Sequence, residues 1–328
     1  MATRVASSAW LVAVTSCAAL GPEDVLPPSV SGAVRVGAKV CATCHAVESA
    51  RFAETIHARL DSSAFSSAEI CEECHGPGSA HVQLLGVRSV GSSTAARPVV
   101  LRYGVDAPPI ELRTSIIGYR DMGDAARVAS SAFCLGCHTR SKFAEWWGGR
   151  HDRVGVGCVD CHDPMQPTVR LLRAPISELC GSCHPDQRAR TQLPSRHPVP
   201  EGRIACTDCH NPHGSEPSLI RASSTFELCT GCHAEKEGPF LFEHPPVTES
   251  CAVCHEPHGT VSESLMRESE PFLCLGCHAG HQGPLPPLTN VTRDAQKSAT
   301  FLTRCTACHS SIHGTDLPSP SGHGRFTR

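Results

Sequence analysis

The residues with the most chemistry in this chain are Cys206-Thr207-Asp208-Cys209-His210-Asn211-Pro212-His213-Gly214. Two cysteines separated by two residues, with a histidine directly after, are what covalent c-type haem attachment requires. The thiols add to the vinyl groups of one porphyrin, and the adjoining imidazole reaches the iron as its proximal axial ligand. His213, three residues further on, offers a ligand for an iron's opposite face.

The motif occurs ten times and uses 20 of the 21 cysteines: Cys41/Cys44/His45, Cys71/Cys74/His75, Cys134/Cys137/His138, Cys158/Cys161/His162, Cys180/Cys183/His184, Cys206/Cys209/His210, Cys229/Cys232/His233, Cys251/Cys254/His255, Cys274/Cys277/His278 and Cys305/Cys308/His309. Paired cysteines also bind zinc or form redox disulfides. Ten pairs, each followed by histidine, point instead to ten covalently bound haem c groups.

Of twenty histidines ten are proximal, which leaves His57, His81, His151, His197, His213, His244, His258, His281, His313 and His323 as distal candidates, one per iron. A centre with two imidazoles has no open position for substrate and carries electrons. No catalytic residue is expected.

These residues need elements that hold them in order. The motifs fall into five dihaem repeats, at residues 41–81, 134–165, 180–213, 229–258 and 274–313, and successive repeats after the first begin 45 to 49 residues apart. With about 33 residues per haem no ordinary core forms, so the porphyrins must serve as one. Aromatic residues are 5% of the chain, beside 27 glycines and 26 prolines. The expected fold is therefore mostly irregular with short α-helices and little β. It is an elongated multihaem cytochrome c wrapped around a linear array of ten haems, since stacked repeats touch mainly their neighbours. The haem-free residues 82–133 include the apolar runs Val99-Val100-Leu101 and Ile110 to Tyr119, candidates for one or two strands or a flap over the second and third haems.

Within the repeats, Phe133, Leu179, Leu228 and Leu273 each precede a first cysteine, a fixed place for packing on a porphyrin. Pro164, Pro212 and Pro257 share a position that turns the chain, so that His213 and His258 are expected to serve neighbouring haems. Met165 stands where its sister repeats carry histidine. A thioether is a competent axial ligand, so Met165 and His323 are alternatives for one axial position.

The formal charge of −3 gives no reason to expect nucleic acid as a partner. No run of 18 apolar residues suits a membrane-spanning helix. Residues 1–16 read as a lipoprotein-type signal peptide, and Val14-Thr15-Ser16-Cys17 looks like a lipobox whose cysteine becomes acylated. The alternative is an ordinary export signal that happens to contain cysteine. Residues 17–40 then form a lipidated tether, 41–316 the decahaem domain and 317–328 a flexible tail. Localisation is expected in the periplasm or at the outer membrane, with a lipid on Cys17 as anchor.

The ten motifs, the stretch Cys71-Glu72-Glu73-Cys74-His75-Gly76-Pro77-Gly78-Ser79-Ala80-His81 and the Cys-His-x-Pro-His-Gly segments at 209–214 and 254–259 resemble the decahaem cytochromes of outer-membrane electron conduits, the Mtr, Pio and Dms type. The resemblance covers residues 41 to about 316. It implies a decahaem chain held in an outer-membrane β-barrel of porin type, exchanging electrons with periplasmic cytochromes on one side and extracellular cytochromes or metal oxide on the other. Direction is not implied. Two departures from that pattern are Cys17 and Met165. Rival readings are a multihaem reductase of nitrogen or sulfur oxyanions, which needs an open iron, and a subunit of a polymeric cytochrome filament.

Overall fold

Each attachment motif folds as a single helical turn. The amide of the motif histidine donates to the carbonyl of the first cysteine at 2.8–3.0 Å for His45, His138, His162, His184, His210, His233, His255, His278 and His309. His75 closes the helix Ile70–His75. One turn of 3.6 residues brings the two cysteines, three apart, to the same side and sets the imidazole at its end.

The computed structural model describes residues 31–59, 68–85, 116, 118–119, 124–138, 145–214, 219–278 and 302–317. The chain divides into two units, residues 1–139 and 140–328, with the division inside the second repeat. The first contains the helices Ala38–Cys44, Ala46–Ala53, Ile70–His75, Ser79–Leu84 and Asp124–Cys137. Its N-terminal strap is held by Glu72, 1% exposed. That carboxylate accepts the amides of Val36, Gly37 and Gly78 at 2.9, 2.8 and 2.8 Å. A buried carboxylate is tolerated because charge-assisted bonds from fixed amides replace its hydration.

The second unit repeats one construction. A first-motif helix, such as Ile176–Cys183 or Thr225–Thr230, is followed by a turn-like second motif, such as Cys158–Cys161 or Cys206–Cys209. Asp160 and Asp208 accept the amides of Gly157 and Ala205 at 2.7 and 2.8 Å, which satisfies a donor at the start of those turns. After the second motif the chain doubles back in isolated antiparallel bridges, His162 with Leu172, His210 with Ile220 and His255 with Met266. Arg173, Arg221 and Arg267 then donate from their side chains to the carbonyls of Val159, Thr207 and Ala252, inside the motif turns, at 2.8, 2.9 and 3.2 Å.

Successive repeats are stitched by two further bridges, Ser195 with Thr260 and Phe242 with Thr315. The glycines after His258 and His313 permit this approach: a Cβ on Gly259 would stand 2.1 Å from the Arg190 carbonyl, and one on Gly314 2.2 Å from the Phe240 ring.

Among the described residues the backbone is short helix, 3-10 turn and irregular chain, with isolated bridges and no strand. Only Ala132, Leu135, Trp146 and Val159 are buried apolar residues there. Trp146 packs on Trp147, ring centres 6.4 Å apart. Phe133, Leu179, Leu228 and Leu273 are half-buried. Val99 to Leu101, and Ile110 to Tyr119 apart from positions 116, 118 and 119, lie outside the described residues.

Candidate haem centres

The histidines meet in pairs, each joining a proximal ring to one of the spare rings. Ring centres are 6.3 Å apart for His45 and His81, and 6.1 Å for His57 and His138. They are 6.3 Å for His151 and His184, 6.1 Å for His162 and His213, and 6.4 Å for His197 and His233. For His210 with His258, His244 with His278 and His255 with His313 they are 5.9, 6.0 and 6.1 Å. Two imidazoles bound end-on to one metal, with bonds of about 2 Å and about 1 Å from each nitrogen to its ring centre, stand roughly 6 Å apart. Eight ring pairs thus fit an iron between them.

The partners follow a rule. A histidine between the two motifs of one repeat pairs with the first proximal ring of the next: His57 with His138, His151 with His184, His197 with His233, His244 with His278. A histidine after the second motif pairs backward, with the second proximal ring of the preceding repeat: His213 with His162, His258 with His210, His313 with His255. His81 pairs within its own repeat.

Residues 151–189, 197–238 and 244–283 match the family described as doubled CXXCH motif. The chain is a multihaem c-type cytochrome. It is 33% identical over 224 residues to multiheme cytochrome MtrA of Shewanella baltica (strain OS185), an alignment covering 65% of this chain and 58% of that relative. The chain thus spans a little over half the length of the curated relative it matches.

In the cytochrome the rings are aimed by their second nitrogens. Nδ1 of His151 and His197 donates to the carbonyls of Pro212 and Pro257 at 2.8 and 2.9 Å, and His244 faces the Ile312 backbone. Each acceptor precedes a post-motif histidine, so one turn positions two distal rings. Proximal His162 and His255 donate to the carbonyls of Arg170 and Ser264 at 2.9 and 2.8 Å. Both acceptors are held in the left-handed region, φ 58° and 57°. A ring that gives its Nδ1 proton to a carbonyl keeps Nε2 as the free lone pair, the tautomer a metal needs. Burial lowers the pKa of His57, His213, His244 and His313, which favours the neutral ring.

The cysteines place consecutive motifs side by side. First cysteines meet within a repeat: Cys41 with Cys71, Cys180 with Cys206, Cys229 with Cys251 and Cys274 with Cys305. The thiol hydrogen bond pulls Cys71 down to about 7 and Cys206 to about 6, and pushes Cys41 and Cys180 up. Second cysteines meet between repeats. Burial chiefly raises Cys74, Cys161, Cys209 and Cys254, and Cys137, Cys183, Cys232 and Cys277 respectively add to it. Motif order in space therefore follows motif order in sequence from the first to the third, and from the fourth to the tenth.

Met165 has His213 rather than its own thioether opposite the adjacent His162, and its amide donates to Asp163 Oδ1 at 3.0 Å. His281, His323 and Cys17 lie outside the described residues. Near His75 lies Tyr119, ring centres 5.5 Å apart, whose hydroxyl donates to the Cys74 carbonyl at 2.7 Å. Among the described residues no helix is long and apolar enough to cross a membrane.

Sequence reasoning passed over Glu72, Tyr119 and the arginines 173, 221 and 267. The arginines had a signal, an Arg following an apolar residue eleven or twelve positions after the motif histidine. Glu72 sits inside an attachment motif, where the intervening positions read as free.

Proposed function

We propose that the cytochrome is an electron carrier that moves electrons along ten covalently bound haem c groups at or across the outer membrane, in extracellular electron transfer of either direction. The observation that carries this reading is the set of eight imidazole pairs 5.9–6.4 Å apart. Haem iron, when bound, supplies a one-electron couple between its ferric and ferrous states.

The chain does the rest. Its twenty motif cysteines, Cys41 to Cys308, hold each group by two thioethers, and the ten motif histidines supply the proximal ligands. His57, His81, His151, His197, His213, His244, His258 and His313 supply distal ligands by the pairing above. His281, His323 and Met165 are the candidates for the two remaining axial positions. With both axial positions taken by imidazole, substrate is kept from those irons. The adjacent cysteines of consecutive motifs bring neighbouring attachment edges together, which suits short transfer steps.

The similarity to multiheme cytochrome MtrA supports the multihaem part of this reading, while the export-like residues 1–16, the lipobox-like Val14-Thr15-Ser16-Cys17 and the resemblance to outer-membrane conduits support the rest. The protein is exported to the periplasm and outer membrane, carries lipid on Cys17, and is held by an outer-membrane β-barrel of porin type. Periplasmic and extracellular cytochromes or extracellular metal oxide are its electron partners.

Purification from membranes without disrupting partners, followed by mass spectrometry, tests the setting. A co-purifying β-barrel and acylated Cys17 are expected. A protein released alone removes the barrel from the reading. Carbon monoxide or nitrite added to the reduced protein tests the chemistry. The haem spectrum is expected to stay unchanged, and ligand exchange at even one iron would favour the reductase reading.

A further inference from the structure

Glu256 stands between the motif histidine His255 and Pro257-His258, at the place held by Asn211 one repeat earlier. His258 donates from Nδ1 to Glu256 Oε1 at 3.1 Å. The other carboxylate oxygen, Oε2, is held by Arg190 Nη1 at 3.0 Å. Both side chains are partly sheltered, Glu256 26% and His258 36% exposed. Nε2 of His258 is left for the pair with His210, whose ring lies parallel to it within 6°.

Other axial rings give their Nδ1 protons to neutral backbone carbonyls: His151 to Pro212, His162 to Arg170, His197 to Pro257 and His255 to Ser264. His258 alone among these five gives it to an anion. A carboxylate partner draws the proton away from the ring and makes the opposite nitrogen a stronger electron donor. Stronger donation favours ferric over ferrous iron, so the site accepts an electron less readily. Proximal His233 also has a carboxylate nearby, but Glu235 stands 3.8 Å from its Nδ1, beyond a hydrogen bond.

We infer that Glu256 is a positioning residue that lowers the reduction potential of one centre, the haem attached at Cys206 and Cys209, by holding the Nδ1 proton of its distal ligand His258. The inference rests on the proposed pairing of His258 with His210. It places a site of low electron occupancy inside the array, between the centres attached at Cys180 and Cys229.

The test is Glu256→Gln in the holoprotein, with haem content checked, followed by a redox titration read by absorbance and by electron paramagnetic resonance. Gln keeps the size and a neutral acceptor while removing the charge. The expected result is a shift of one tenth of the haem signal to higher potential, with the other nine tenths unmoved. A titration that superimposes on the parent, or one in which all components move together, overturns the inference. His258→Ala separates this from the pairing itself. If it removes one six-coordinate low-spin centre while Glu256→Gln moves nothing, the tuning role fails and the pairing stands. If His258→Ala leaves every centre low-spin, the pairing fails and the inference with it.

Discussion

Gly259→Ala would place a methyl group 2.1 Å from the Arg190 carbonyl oxygen, at a residue whose φ is +140°. The backbone conformation alone costs an L-residue about 1–3 kcal/mol. The contact also forces two backbones apart by roughly 1 Å, because real Cβ atoms do not approach oxygen within about 3 Å. That movement strains three bonds in the adjoining stitch: the two mutual bonds of Ser195 and Thr260, at 3.2 and 2.8 Å, and the Leu265 amide on Ser195 Oγ at 2.8 Å. At about 0.5–1.5 kcal/mol each, their loss brings the total to about 3–7 kcal/mol. For a unit of this size the apparent melting temperature of the holoprotein should fall by roughly 10 °C. Gly214→Ala is the matched control. Its Cβ would meet only Asn211 of the same turn, at 3.2 Å, and its φ is not positive, so a loss under about 1 kcal/mol is expected. Thermal melts of both variants, followed by Soret absorbance, make the comparison. Equal melting temperatures for the two variants would refute the close approach of the repeats.

His57→Ala should remove one distinct signal from the electron paramagnetic resonance spectrum. The His57 and His138 planes cross at 87°, whereas those of His210 and His258 lie within 6°, and crossed planes leave the iron d orbitals nearly degenerate and the signal strongly anisotropic. Glu72→Ala orphans three amides and should cost roughly 3–6 kcal/mol, seen as faster proteolysis near residues 34–37 at unchanged haem content. Replacing all twenty motif cysteines by alanine should abolish cooperative unfolding by calorimetry, because the described residues bury only Ala132, Leu135, Trp146 and Val159 as apolar core.

Which features were legible in advance depends on how local their causes are. Short helices and the lack of strands among the described residues were readable because each attachment motif dictates its own turn, and 27 glycines and 26 prolines interrupt anything longer. The turn at Pro212 and Pro257 was readable too, since proline presets the backbone and sends the next side chain away. Glu72 was not readable, because its three amide partners come from both sides of the motif, Val36 and Gly37 lying far upstream. The arginines 173, 221 and 267 act on carbonyls inside a turn, a role that leaves only a faint spacing in the chain.

By itself the sequence determined the spacing on which the proposed attachment chemistry rests: ten motifs, ten adjoining histidines and ten spare ones. Those are facts of spacing along a few bonded residues, which no fold can alter. Only the tertiary structure decided which spare ring faces which proximal ring, and that repeats lend one ring forward and another backward. It also decided that consecutive motifs meet by first cysteines within a repeat and by second cysteines between repeats. The paired rings lie far apart along the chain, as His57 and His138 or His255 and His313 do. Such meetings are set by how repeats pack on one another rather than by any local preference.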